Sequence, residues 1–230
     1  MGHDRKLVFF DIDGTLVLTH GAGKLALGQV FSDEFGISEP KLDIDFGGRT
    51  DRSIARELFE INGIKWGDEQ LLQLFSAYLT SLEKHLEKGQ GELLPGVLDL
   101  LVQLKTLPDV DIGLITGNVE QGAYKKLAQF DIDHFFAFGG FGDNQELRDD
   151  IAKEGLIRAS EHTGYTYNTE HITVIGDTPH DITRSDAIGA KCIAVKTGYS
   201  HPESLAAAEP FALLDDLSDT KNVLRLILRS

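Results

Sequence analysis

Five short apolar runs recur along the chain, at residues 7–10, 112–115, 135–138, 172–175 and 192–195, with a weaker sixth at 211–214. A run this short, without polar alternation, reads as a strand buried on both faces, as strands in parallel sheets are. Helical patterns fill most of the intervals, at residues 96–104, 120–128, 151–162 and 181–187. Alternating strands and helices predict right-handed βαβ units on one parallel sheet.

One interval breaks the rhythm. Residues 18–91 hold no convincing strand but carry helical patterns at 24–35, 51–61 and 68–86. Leu71, Leu72, Phe75, Leu79, Leu82 and Leu86 recur at helical spacing and read as packing surface. Asp51 and Asp68 suit helix N-termini. Gly21-Ala22-Gly23 and Gly89-Gln90-Gly91 bound the block. The expected class is therefore α/β: a Rossmann-like parallel-sheet core interrupted by an all-helical cap. The core is expected at residues 1–17 and 92–230, and the cap at 18–91. Two linkers between them permit a hinge.

Composition narrows the setting. The 230 residues are 41% hydrophobic and 26% charged, as in soluble globular proteins. No stretch reaches the roughly 20 apolar residues of a membrane span, and the N-terminal residues have no secretory h-region. Cys192 is the single cysteine, so an internal disulfide is excluded. These features point to the cytoplasm. A formal charge of −15 excludes nucleic acid as a partner of the general field. An anionic substrate must then be held by local cations, backbone N–H groups or a metal. With no heptads or other self-association signal, a monomer is expected.

In parallel sheets ligands bind beyond the carboxyl ends of the strands. The first strand here ends in Asp11-Ile12-Asp13-Gly14-Thr15 and the second in Thr116-Gly117-Asn118. The third leads through Gly139-Gly140-Phe141-Gly142-Asp143 towards Arg148, and the fourth ends in Gly176-Asp177-Thr178-Pro179-His180-Asp181. Paired carboxylates at a buried strand end are costly unless a partner such as a divalent cation neutralises them. One acid at a strand end is usually a helix cap. Acids or hydroxyls at three strand ends and a cation after a fourth are poorly explained as independent caps.

With these motifs the chain resembles the haloacid dehalogenase-like hydrolase superfamily, in its phosphatase branch with a helical cap after the first motif. The segment Gly48-Arg49-Thr50-Asp51-Arg52-Ser53-Ile54 resembles the cap of phosphoglycolate phosphatase-like members. The resemblance implies a Mg²⁺-dependent phosphomonoester hydrolase. Asp11 would be the nucleophile and Asp13 the general acid and then base. Asp11, the Asp13 backbone carbonyl and Asp177 would ligate Mg²⁺ through hard oxygens, with Asp181 orienting that shell. Thr116, helped by Gly117 and Asn118, would bind the phosphoryl oxygens. Arg148, at the helix start after the third strand, would neutralise the phosphoryl group. Lys153, about a turn and a half further on, is the alternative. Neither shows the Lys-Pro pattern common in the family.

His20, Lys24 and Arg49 are the candidate cap contacts to the leaving group of a small phosphate ester. Arg49 follows Gly47-Gly48, a flexible pair that can carry a guanidinium to the site. An EF-hand is excluded, because its fifth and twelfth loop positions fall on Thr15 and Ala22. A P-loop is excluded because its first glycine would be Leu18. The alternatives are a phospho-accepting or phosphate-binding protein without catalysis, and a phosphotransferase or mutase. Mutase relatives carry a cap-linker histidine where this chain has Gly23.

Overall fold

The computed structural model describes residues 5–143 and 148–229, except the side chains of Arg148 and Asp149. Strand β1 (Lys6–Phe10) lies at the middle of a six-stranded sheet, between β4 (Val110–Ile115) and β6 (Ile172–Gly176). The order is β5-β4-β1-β6-β7-β8, with β5 at Gly139–Gly140, β7 at Lys191–Val195 and β8 at Ala212–Leu214, and all pairings are parallel.

The uniform apolar run of β1 follows from its two covered faces. Val8 and Phe10 enter one core with Leu100, Leu101, Leu127 and Val223. Leu7 and Phe9 enter the opposite core with Ile151, Ala159 and Val174. Successive side chains of a strand point to opposite faces, so both parities must be apolar here. Helices α4 (Val97–Lys105), α5 (Glu120–Ala128), α6 (Arg148–Thr163), α7 (Pro179–Ala187) and α9 (Thr220–Leu228) supply the covering layers, and a short α8 (Pro202–Ala207) precedes β8.

The helical patterns of the interrupting block are present as α1 (Ala22–Phe35), α2 (Asp51–Ile61) and α3 (Asp68–Lys88). They enclose their own apolar core, which includes Phe31, Leu58, Phe59, Leu74 and Leu82. On α3 the buried positions are Leu71, Leu74, Tyr78, Ser81, Leu82 and Leu86, whereas Leu72 is 72% exposed and drops out of the expected stripe. Asp51 and Asp68 do open their helices, and Thr50 caps α2 by accepting from Ser53 N. Short strands β2 (Val17–Leu18) and β3 (Glu92–Leu93), which the sequence reading misses, pair antiparallel where the chain leaves and re-enters the sheet unit.

The third expected strand is displaced. Residues 135–138 do not form it; Asp133–Phe135 is a 3₁₀ turn, and the strand is the glycine pair that follows. The reason is space. A methyl on Gly140 would sit 2.0 Å from the Ile151 carbonyl oxygen, so the edge strand must lack side chains to pass under α6. Phe138 instead lays its ring edge-on to Phe9, over Gly113, where a methyl would meet it at 2.4 Å.

Candidate active site

The chain turns sharply after β1. Amides of Thr15, Leu16 and Val17 all donate to the Ile12 carbonyl, and Gly14 takes φ 85°. That conformation favours glycine. The same turn stacks against Asp177: a methyl on Gly14 would lie 2.4 Å from its Oδ2, and one on Gly198 only 1.7 Å away. The Asp177 carboxylate is thus wedged between two backbone stretches that lack side chains. Thr15 Oγ1 donates to its other oxygen at 3.1 Å.

Asp11, Asp177 and Asp181 converge, each offering a carboxylate oxygen within 4.8 Å of the others, and all three are buried. Asp181 accepts from the Thr178 amide at 2.9 Å and its hydroxyl at 2.7 Å, which closes a capping box at the start of α7. Its other oxygen meets the Arg184 guanidinium. Arg184 is wholly buried, donates to the Ile115 carbonyl at 3.1 Å and stands 3.7 Å from Asp11 Oδ2. Burial, together with Asp181 and Asp11 nearby, raises Asp177 well above the usual carboxylate range. Three carboxylates against one guanidinium leave two negative charges in a site built of oxygen donors. A divalent cation with oxygen preference fits that deficit.

The second strand end folds onto the first. Thr116 is wholly buried, and its amide donates to the Gly140 carbonyl. Asn118 Nδ2 donates to Thr116 Oγ1 and to Asp13 Oδ2, both at 2.8 Å. Lys126, on α5, donates to both Asp13 oxygens at 2.8 and 2.7 Å and to Asn118 Oδ1 at 2.7 Å. From the helical block, the Asp51 amide donates to the Gly117 carbonyl, and its carboxylate accepts from the Val119 amide. Loss of hydration raises the Asp51 carboxyl to about 6, although Lys126 and the Val119 amide act against the rise.

A cavity of about 620 Å³ lies between the sheet rim and the helical block. It brings together Asp11, Asp13, Thr116, Gly117, Asn118 and Asp177 with His20, Lys24 and Arg49. Lys24 Nζ stands 5.4 Å from the Phe46 ring centre, Arg49 pairs with Glu57 at 2.5 Å, and His20 faces Glu92 at 3.4 Å. Asp181 does not line the cavity; it lies beneath, with a methyl on Gly176 meeting its Cγ at 2.2 Å. Arg148 opens α6, but its side chain lies outside the described part of the chain. Lys153, the alternative, is 57% exposed at its side chain, pairs with Asp150 and is not among the residues that line the cavity.

Sequence reasoning missed Lys126, Asp51, Tyr78, Tyr199 and His201, which also line the cavity, and the buried Arg184. A signal for Lys126 was present: it shares the buried face of α5 with Ala123 and Leu127 at helical spacing.

A parallel sheet with acids gathered on one rim, roofed by helices, defines the class of capped α/β hydrolases that the motifs resemble. The family model for haloacid dehalogenase-like hydrolases matches residues 8–195, and the chain belongs to that family. It is an enzyme of the family's phosphoglycolate phosphatase-like branch. Phosphoglycolate phosphatase 1 of Pseudomonas aeruginosa is 28% identical, over 93% of this chain and 78% of its own length. A phosphoglycolate phosphatase of Nitrosococcus oceani is 25% identical, over 95% and 96% respectively. Among solved structures, CbbY from Rhodobacter sphaeroides in complex with phosphate superposes with a TM-score of 0.75, at 17% identity over 94% of this chain and 96% of that one. A predicted phosphoglycolate phosphatase from Haemophilus somnus 129pt gives 0.70, at 18% identity over 97% and 100%. Among the described residues, no helix is long and apolar enough to cross a membrane.

Proposed function

We propose that this enzyme is a Mg²⁺-dependent phosphatase that hydrolyses a small phosphate ester through an aspartyl-phosphate, with residues 18–91 as the cap. The observation that carries this reading is the convergence of Asp11, Asp177 and Asp181, the first two of which line, with Thr116, a cavity roofed by the helical block. Asp11, the Asp13 carbonyl and Asp177 would hold Mg²⁺, with Asp181 fixed behind them by Thr178 and Arg184. The ion, when bound, withdraws charge from the phosphoryl oxygens and from the nucleophile.

An Asp11 carboxylate oxygen attacks phosphorus, and the bond from phosphorus to the ester oxygen breaks. Asp13, carrying a proton, gives it to the departing alkoxide. Asp13 then takes a proton from water, whose oxygen attacks the same phosphorus and releases Asp11. Thr116 and nearby amides bind the phosphoryl oxygens throughout, because phosphoryl transfer depends mainly on positioning and charge neutralisation. The cap excludes water from the first step.

The relatives' names favour phosphoglycolate or a close analogue. Lys24, His20 and Arg49 on the cavity wall support a leaving group that carries a second anionic charge. A panel of phosphoglycolate, sugar phosphates and nucleoside monophosphates, assayed with and without Mg²⁺, tests the reading. Phosphoglycolate is expected to rank first by kcat/KM. Absence of turnover on every ester with Mg²⁺ present would sink it.

The wedge around Asp177 supplies a separate check on the metal site. Gly198→Ala places a methyl within 1.7 Å of Asp177 Oδ2 and must displace the carboxylate. Mg²⁺ affinity, measured by calorimetry, is expected to fall roughly 10–100-fold. An unchanged affinity would remove Asp177 from the ligand set.

A further inference from the structure

We propose that Lys126 is the positioning residue of this active site: its buried ammonium holds the acid/base carboxylate of Asp13 and fixes the orientation of the Asn118 amide, which in turn aims the Thr116 hydroxyl. The inference deepens the phosphatase reading and rests on it for the role of Asp13.

Helix α5 starts just behind the Thr116-Gly117-Asn118 turn, and Lys126 lies six positions beyond its first residue, Glu120. Helical side chains lean towards the N-terminus, so the lysine stem runs back along the helix to that turn. The side chain is 6% exposed, whereas the Asp13 side chain is 44% exposed. The lysine is therefore the anchored partner and the aspartate the steered one. An ammonium has three N–H donors and no acceptor. Here all three find oxygens, two on Asp13 and one on Asn118, at 2.7–2.8 Å, the arrangement of the carboxylate form that serves as base; in the acid form one Asp13 oxygen carries the proton and the other keeps the ammonium.

A donor-only group imposes a direction on everything bonded to it. Asn118 must turn its oxygen to Lys126, which points its NH₂ at Asp13 Oδ2 and Thr116 Oγ1. Thr116 then accepts from Asn118, and its single O–H is left to donate elsewhere, towards a phosphoryl oxygen in the cavity. Without the ammonium, the Asn118 amide can flip and the half-exposed Asp13 carboxylate loses two of the three hydrogen bonds described for it. Lys126 thus acts on the reaction through Asp13 and Asn118.

Lys126→Met, close in length and without charge, tests the proposal in two ways. The first is kinetic. Departure of p-nitrophenolate needs little proton donation, whereas departure of an alkoxide needs a well-placed acid. With saturating Mg²⁺, kcat for an alkyl phosphate is expected to fall about 100-fold, the usual cost of a misplaced group. First-turnover release of p-nitrophenolate is expected to fall about 10-fold or less, followed by a slower steady state as the phosphoenzyme waits for its base. Equal losses on both esters with no burst, or no loss on either, would overturn the proposal. The second is a crystal structure of the variant, in which Asp13 and Asn118 are expected to leave their wild-type orientations. Both side chains unmoved would overturn the proposal whatever the kinetics. If the wild type hydrolyses neither ester, the phosphatase reading fails and the crystal comparison alone decides the role of Lys126. Should Lys126→Met fail to fold, Lys126→Gln, which keeps a neutral donor, is measured in the same two ways.

Discussion

Asp11→Asn protein is expected to fold, to bind phosphate esters, and to turn none of them over, a loss of at least about 10⁴-fold in kcat. The substitution is isosteric, and the Asp11 backbone amide keeps its bond to the Ile175 carbonyl at the end of β6. The change also removes one of three crowded acids and so relieves part of the repulsion that, after burial, raises Asp177. Stability should therefore hold or improve while the chemistry stops, because a carboxamide oxygen is a poor nucleophile towards phosphorus. Steady-state assays on several esters, with melting curves alongside, provide the check. Turnover within tenfold of the wild type would remove Asp11 as the nucleophile.

Asp13→Asn is expected to cost about 10³-fold in kcat, within the range for loss of a general acid and base. Its effect on Mg²⁺ should be small. The Asp13 side chain bonds to Lys126 and Asn118, and the buried acid triad is formed by Asp11, Asp177 and Asp181 without it. The metal would meet only its backbone carbonyl. Calorimetric titration separates the two functions. Mg²⁺ affinity is expected to stay within about threefold, and a loss like that of Gly198→Ala would mean that the Asp13 carboxylate itself binds the ion.

Much of this arrangement is local in the chain, and those parts were legible in the sequence. Asp11 and Thr116 follow an apolar run directly and Asp177 follows one after Gly176, and a strand end in a parallel sheet is a position that a pattern can locate. The α2 and α3 N-termini are legible for the same reason. Lys126 is legible only in part: its spacing with Ala123 and Leu127 places it on the buried face of α5, but a lysine inside an amphipathic helix reads as a solvated residue. What makes it otherwise is Asp13, 113 positions away. Arg184 is hidden in the same way: it lies on the helix after the fourth strand, and its charge makes sense only beside Asp181 and Asp11. The third strand was misplaced because hydrophobicity marks burial and not pairing. Phe135 and Phe136 are buried in the core of Phe10 and Phe138 in that of Phe9, with Ala137 exposed between them, while the pairing falls to Gly139 and Gly140, whose bare backbone fits under α6. Arg148 does stand at a helix start, as the sequence reading expects, and its side chain lies outside the described residues. Among the residues whose side chains are described, however, the charges near the acids come from α5 and α7.

The small ribbon formed by Val17–Leu18 and Glu92–Leu93 bears on how such a protein can be re-engineered. Leu18 and Glu92 face one another across it, so the peptide's departure point and its point of return are neighbours. Opposed residues of an antiparallel pair stand about 5 Å apart, a gap that a two-residue hairpin turn spans. Joining those two ends and leaving out the helices between them is therefore expected to leave the strand order of the sheet as it is, which a structure of the shortened chain would check.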